Sequence, residues 1–393
     1  MTCHHYAAGR CRSCGLIELP YAEQLQRKQQ ACRAALAVWP GLAWLPPVAS
    51  TTSGFRNKAK MVVSGTAQAP VLGILNPAGR GVDLRDCPLY PPAMQAAFGP
   101  IMGLIRAAGI EPYDVPARRG ELKYVLLTIC VQTGGMMLRL VLRSRAMIPA
   151  LRQHLPELQA CLPGLKVVSV NLQPEHKAIL EGEEEIVLTE QQTLTMWLNG
   201  LPLHLRPRSF FQTNSAVAAA LYATARDWVA EIAPEGMWDL FCGVGGFALH
   251  CAPFVRGTVT GIEVSFDAIE SARLSAAELG LANTVFRVLD AADFALGQSV
   301  VPALVLVNPP RRGIGAELCA FLDASAARWL VYSSCNPASL ADDLARLTSF
   351  EPVRAQLFDI FPHTAHSEVL VLLRRRSWRW RSDAPSRTAR AGS

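Results

Sequence analysis

Cys335 stands in Tyr332-Ser-Ser-Cys-Asn-Pro337, at the end of an apolar run and just ahead of a helical pattern that opens near Pro337. A thiol attacks carbon as its thiolate, and a helix N-terminus favours that form, so the position predicts a thiol pKa below the ordinary value. Glu368 lies directly before the last apolar run, Val369–Leu373. A carboxylate entering a strand is ordinarily solvated; in one crevice with a thiolate it has a use as a general base. His363 and His366 in the same loop are the reserve candidates for that role. A third group is Cys3-x7-Cys11-x2-Cys14, with Cys87 in Leu84-Arg-Asp-Cys-Pro-Leu89 as a candidate fourth ligand. Four thiolates suit tetrahedral zinc or an iron–sulfur cluster, and spacing alone leaves both open. His4 and His5 beside Cys3 read as surface residues.

A different chemistry is written at Met237–Phe241, a strand running into Cys242-Gly-Val-Gly-Gly-Phe-Ala248. Glycines 243, 245 and 246 permit a tight turn and close approach of a ligand to the backbone. Glu263 ends the next strand, where a carboxylate can accept hydrogen bonds from both hydroxyls of a ribose. Asp290 ends the third strand and is a weaker candidate for an adenine. The G-x-G-G spacing departs from the pyrophosphate-cradling G-x-G-x-x-G. S-adenosylmethionine carries no phosphate and suits the altered loop, with Asp239 near its amino acid portion.

These groups need elements to hold them. Pro20 to Pro40 reads as one amphipathic helix, and Phe55–Ser64 alternates as a strand with Arg56, Lys58 and Lys60 on one face. A helix near 93–108, strands at 123–128 and 137–142, a helix at 148–161 and a strand at 166–172 give an α+β region. From Asn214 onward strands and helices alternate, with strands at 237–241, 258–264, 284–289, 303–307, 329–332, 354–358 and 369–373. That order predicts a doubly wound, mostly parallel sheet with helices on both faces. The last two strands are joined too tightly for a crossover helix and should be antiparallel. The expected division is 1–90 for the cysteine-cluster segment, 91–200 for a central α+β region, 201–373 for the doubly wound domain and 374–393 for a basic flexible tail.

Composition narrows the class. Half of the 393 residues are apolar and 18% are charged, as in a packed globular protein. Neither a secretory signal nor an uninterrupted membrane-spanning run is present, so a cytoplasmic location with reduced thiols is expected. The net charge of +6 sits in residues 374–393, with seven arginines and one aspartate; the rest is balanced at 31 basic and 31 acidic groups. Overall charge therefore argues for a basic tail, with Trp378 and Trp380 interleaved, rather than for a nucleic-acid-binding body. Candidate phosphate contacts are Arg56, Lys58, Lys60, Arg118, Arg119 and Lys123. No obligatory protein partner is evident.

Five motifs occur in the order seen in RNA uracil-5 methyltransferases, which this chain resembles from residue 1 to about 373. They are Phe210-Phe-Gln-Thr-Asn214, Asp239-Leu-Phe-Cys-Gly-Val-Gly-Gly-Phe247, Asn308-Pro-Pro-Arg-Arg-Gly313, Ser334-Cys-Asn-Pro337 and Phe361-Pro-His-Thr-Ala-His-Ser-Glu368. The resemblance implies a class I methyltransferase sheet preceded by an α+β region that binds a cluster and RNA. It implies that Cys335 adds to C6 of a uracil, that C5 takes a methyl group from S-adenosylmethionine, and that Glu368 removes the C5 proton. It further implies cofactor contacts by Gln212, Phe241, Glu263 and Asn308, although many relatives carry Asp at the position of Asn308. A [4Fe–4S] cluster on Cys3, Cys11, Cys14 and Cys87 is likewise implied. With a cysteine cluster and no N-terminal oligonucleotide-binding barrel, the chain is most similar to the branch acting on uracil 747 of 23S ribosomal RNA. Another 23S or tRNA uracil is the alternative. Two rivals fare worse: amino-nitrogen methylation wants an aromatic residue after Asn-Pro-Pro, where Arg311 stands, and a non-catalytic iron–sulfur RNA-binding protein has no use for Cys335 and Glu368.

Overall fold

The computed structural model describes residues 1–177 and 179–377, so Trp378, Trp380 and most of the basic tail lie outside the described residues. Apolar runs Leu304–Val307 and Trp329–Ser334 are buried along their whole length, as central parallel strands are. They belong to an eight-stranded sheet in the spatial order Ala43–Trp44, Phe350–Phe358, Glu368–Arg375, Trp329–Ser334, Leu304–Val307, Met237–Leu240, Val259–Glu263, Thr284–Val288. From Met237–Leu240 the chain winds outward through Val259–Glu263 and Thr284–Val288, then returns to Leu304–Val307 on the other side. Met237–Leu240 is thus the switch point, beyond whose carboxyl end such sheets bind ligands.

Phe350–Phe358 and Glu368–Arg375 pair antiparallel, as expected, and the later strand inserts between Phe350–Phe358 and Trp329–Ser334. It runs on to Arg375, so the basic tail starts later than residue 374. Arg374 is ion-paired with Glu351, and the Arg375 guanidinium lies 4.3 Å over the Phe350 ring. Both arginines are held by the neighbouring strand Phe350–Phe358.

A seven-stranded sheet forms the other layer, in the order Gly81–Asp83, Pro70–Leu75, Lys58–Gly65, Leu122–Ile129, Met136–Leu142, Leu165–Leu172, Glu184–Val187. Its one parallel pair, Met136–Leu142 with Leu165–Leu172, is joined through the helix Ile148–Cys161. Helices Pro92–Ala107 and Ile148–Cys161 share a core with Ala59, Met61 and Val63, which leaves Lys58 and Lys60 on the other side, as the alternation predicts. This sheet runs through residue 90. The helix Tyr21–Ala35 instead packs Cys32 against the larger sheet with Tyr332 and Val371, where Ala43–Trp44 adds an edge strand. The expected segment 1–90 therefore contributes to both sheets, because Lys58–Gly65 pairs antiparallel with Leu122–Ile129. A hairpin the sequence reading passed over, Leu194–Leu198 with Leu201–Leu205, turns at Asn199 and Gly200, both at positive φ. Among the described residues no helix is long and apolar enough to cross a membrane.

Candidate active site

At the switch point the backbone is bent hard. Phe241 takes φ +65°, a left-handed conformation unusual for a bulky residue, and Gly243 and Gly245 follow at +52° and +82°. Gly246 is required by space, since a Cβ there would lie 2.5 Å from the Tyr222 ring. Glu263 faces this loop from the neighbouring strand. Its Oε2 accepts from the Gly243 amide at 3.2 Å and its Oε1 from the Ser265 amide at 3.0 Å. Each oxygen keeps further acceptor capacity for a hydroxyl.

Asp239 lies behind the Gly-rich loop. It is fully buried, its Oδ2 accepts from the Ala248 amide at 2.9 Å, and it is not among the described residues that line the ligand cavity. Burial, then the nearby Glu263 charge, pushes its carboxyl up to about 8. Its Oδ2 holds the short helix Gly246–Cys251 behind the loop, while its Oδ1 is buried without a protein partner among the described residues. Asp290 does line the cavity, and its Oδ1 also caps the helix Ala291–Leu296 through the amides of Ala292 and Asp293.

One cavity of about 790 Å³ collects Gln212, Phe241, Glu263, Asn308, Cys335 and Glu368. Its size falls in the range of small-molecule sites. Further lining side chains include Tyr222, Arg311 and Phe361, to which sequence reasoning gave no role in the site, and His366, the reserve candidate for the base. Arg311 and Phe361 lay inside quoted motifs and could have been flagged there; Tyr222, within the helix Ser215–Ile232, carried no local signal.

Glu368 is the first residue of its strand, yet it is only 2% exposed. Antiparallel pairing sets it beside the end of Trp329–Ser334, where the Ser333 hydroxyl donates to its Oε1. Burial pushes the carboxyl up to about 7, against the pull of that hydrogen bond. Cys335 is half-buried and its thiol is raised, not lowered. Burial is the main cause and the Glu368 charge the next, while a hydrogen bond and the charge of Arg311 act in the opposite sense. The expectation of a helix-activated thiol is thus corrected. Asn336 is the N-cap, its Oδ1 accepting from the Ala338 amide at 3.2 Å, and Cys335 stands ahead of the cap beside a carboxylate. Arg311 is itself placed by its carbonyl, which accepts from Asn336 Nδ2 and the Ser339 hydroxyl at 2.9 and 3.0 Å.

The two histidines separate. His366 lines the cavity and its Nδ1 lies 2.7 Å from Arg311 Nη2. His363 is buried, with Nε2 2.7 Å from the Thr52 carbonyl and Nδ1 3.2 Å from Gln24 Nε2. Both ring nitrogens are engaged away from the cavity, so His363 is a structural residue.

Cys3, Cys11, Cys14 and Cys87 line a second cavity of about 150 Å³ together with His5, Arg56 and Lys60. Burial raises Cys14 to about 11, and the three other thiols add to it; burial likewise raises Cys87 to about 11. His5 is not a surface residue. It is 3% exposed, and its Nε2 lies 2.6 Å from Asp86, which also meets His4 at 3.0 Å. Lys123 is withdrawn as well: its Nζ donates to Gln173 and to the Glu175 carbonyl and sits 4.6 Å over the Tyr113 ring. Arg118 and Arg119 are exposed on a tight turn.

A Gly-rich loop at the switch point of a doubly wound sheet, with an acid on the neighbouring strand, defines a class I methyltransferase-like fold. The comparisons agree. Residues 185–376 match the family described as tRNA (Uracil-5-)-methyltransferase. The 23S rRNA (uracil(747)-C(5))-methyltransferase RlmC of Halothiobacillus neapolitanus is 58% identical over 95% of this chain and 99% of its own length. The protein of the same name from Escherichia coli O157:H7 is 55% identical over 95% of this chain and 99% of its own. A crystal structure of Pyrococcus abyssi tRNA (uracil-54, C5)-methyltransferase with S-adenosyl-L-homocysteine shares the fold, with a TM-score of 0.76, 24% identity, and coverage of 92% of this chain and 85% of that one. The chain belongs to the RNA uracil-5 methyltransferases.

Proposed function

We propose that this protein makes 5-methyluridine at position 747 of 23S ribosomal RNA in the cytoplasm, using S-adenosylmethionine. The observation that carries the chemistry is a thiol and a carboxyl sharing one cavity with the Gly-rich loop and Glu263. The choice of RNA rests on full-length similarity to relatives named for that site, at 54–58% identity. Similarity to the tRNA-directed neighbour is lower, at 24%. When bound, S-adenosylmethionine supplies an electrophilic methyl group. Glu263 would hold its ribose hydroxyls, with Gln212, Phe241 and Asn308 forming the rest of its seat.

C5 of uracil is a weak nucleophile until a thiolate adds at C6. Cys335 forms the S–C6 bond, and the electron pair of the C5–C6 double bond moves toward C5 and the neighbouring carbonyl. Arg311 offsets the charge that holds the thiol protonated. C5, now electron-rich, accepts the methyl group. Glu368 then takes the C5 proton, the freed pair re-forms the double bond, and the S–C6 bond breaks to return the thiolate. A carboxyl raised to about 7 suits a base that must accept and then release a proton near neutrality.

Cys3, Cys11, Cys14 and Cys87 would hold a [4Fe–4S] cluster. The donor set fits: all four cysteines line one cavity, and four thiolates are the ligands such a cluster takes. Such a cluster pins the N-terminal segment beside Arg56 and Lys60, which are candidates for RNA phosphates. The test is to map 5-methyluridine in ribosomal RNA from cells with and without the protein; loss at position 747 alone is expected, and loss at a tRNA position refutes the assignment. RNA carrying 5-fluorouracil at the target leaves no C5 proton to remove and should trap the protein through Cys335. An adduct elsewhere refutes the covalent role.

A further inference from the structure

The helix Tyr21–Ala35 buries a polar stripe. Gln24 and Lys28 are 1% and 3% exposed, and Tyr21 and Cys32 continue the same face at helical spacing. Core-facing helix positions are ordinarily apolar. Here each residue of the stripe meets the loop between Phe350–Phe358 and Glu368–Arg375. Tyr21 donates its hydroxyl to Asp359 at 2.8 Å. Gln24 Oε1 accepts from the His363 amide at 2.9 Å, and its Nε2 lies 3.2 Å from His363 Nδ1. Lys28 Nζ is bonded to buried Asp359 at 2.6 Å and to the Phe361 carbonyl at 2.9 Å. Cys32 Sγ is 3.7 Å from the Ser367 hydroxyl, one residue short of Glu368.

The loop needs such support. His363 sits at φ +66°, a conformation that a non-glycine residue keeps only when its surroundings enforce it. The Leu16 amide, two residues beyond Cys14, donates to the His363 carbonyl at 2.9 Å and ties the N-terminal segment to the same point. From this we infer that Gln24 and Lys28 are positioning residues for Glu368: the N-terminal helix is a brace that holds the base loop in the conformation proton removal requires. The inference rests on Glu368 as the base that acts after methyl transfer.

That timing separates positioning from general destabilisation. A displaced base leaves C6 attack and methyl transfer intact and delays only release, so a methylated covalent RNA–protein complex must build up. The test uses the full chain with uridine RNA and S-adenosylmethionine in Gln24→Leu and in the paired Lys28→Met/Asp359→Asn, which leaves no unpaired buried charge. Complex surviving denaturing electrophoresis is counted per molecule competent to bind S-adenosylmethionine, so unfolded protein does not enter the ratio. The expected result is a fall in kcat of at least about tenfold, since displacements near 1 Å can cost about a hundredfold, with a several-fold rise in trapped complex and unchanged KM for S-adenosylmethionine. Slower turnover without added complex overturns the brace, as does unchanged kcat. Glu368→Gln run in parallel tells the two failures apart: if it traps complex and the brace variants do not, only the brace is wrong. If it traps none, the reading of Glu368 falls and the brace with it.

Discussion

Replacing Glu368 with Gln should make the folded protein more stable and the enzyme idle, and the gain should depend on pH. The carboxyl is fully buried, and burial raises it from 4.5 to about 7. Below 4.5 it is neutral folded or unfolded and contributes no pH-linked cost. Between 4.5 and 7 the folded chain keeps a proton that the unfolded chain has lost, so stability falls as pH rises. Above 7 the whole penalty applies. At 1.36 kcal/mol per pKa unit it amounts to about 3 kcal/mol, and to under about 1 kcal/mol at pH 5. Glutamine accepts the Ser333 hydroxyl as the glutamate does, yet is never charged. Unfolding of Glu368→Gln and its parent, compared at pH 5 and pH 8 without RNA or S-adenosylmethionine, should show the variant's advantage mostly at pH 8. Asp239, raised to about 8, titrates in both proteins and cancels in the difference. An equal gain at both pH values, or a loss at pH 8, would refute the account of a base strained by burial.

Cys335→Ala should abolish methylation while S-adenosylmethionine binding, read by calorimetry, stays within about twofold, because the thiol meets the base; the double variant with Glu368→Gln should trap no complex. Glu263→Ala should weaken S-adenosylmethionine binding at least about tenfold, since hydrogen bonds to a charged acceptor are worth about 1.5–3 kcal/mol; an unchanged dissociation constant would remove Glu263 from the ribose. Turnover should climb as pH rises through about 7, where Glu368 becomes a base, and Arg311→Met should displace the thiol-dependent part of that rise to higher pH. Protein purified without oxygen should be brown with close to four irons and four sulfides per chain, and Cys87→Ser should lose most of both; stoichiometric zinc without sulfide would replace the cluster by a metal ion.

Local pattern carried the doubly wound sheet. The run Met237–Phe241, its glycines and Glu263 were legible because strand, turn and acid follow one another at fixed spacing. Cys335 and Glu368 were legible as motif residues, but their electrostatics were not. Whether a thiol beside a helix is activated depends on which residue caps that helix and which charge faces the sulfur, and both are tertiary facts. The burial of Asp239 and its bond to the Ala248 amide were not legible, since they depend on the helix that packs behind the loop. His5 and Lys123 looked solvated because their partners, Asp86 and Gln173, lie far along the chain. The burial of Gln24 and Lys28 on the helix Tyr21–Ala35 likewise depends on partners far along the chain.

The insertion of Glu368–Arg375 beside Trp329–Ser334 has a consequence for synthesis. Translation delivers the cofactor loop and Cys335 well before the strand that carries their base. Until that strand docks, Trp329–Ser334 is the open margin of the sheet and the carboxyl facing Cys335 does not exist. Only once Glu368–Arg375 has docked do thiol and carboxyl share one cavity, so the chemistry waits on the last strand of the sheet.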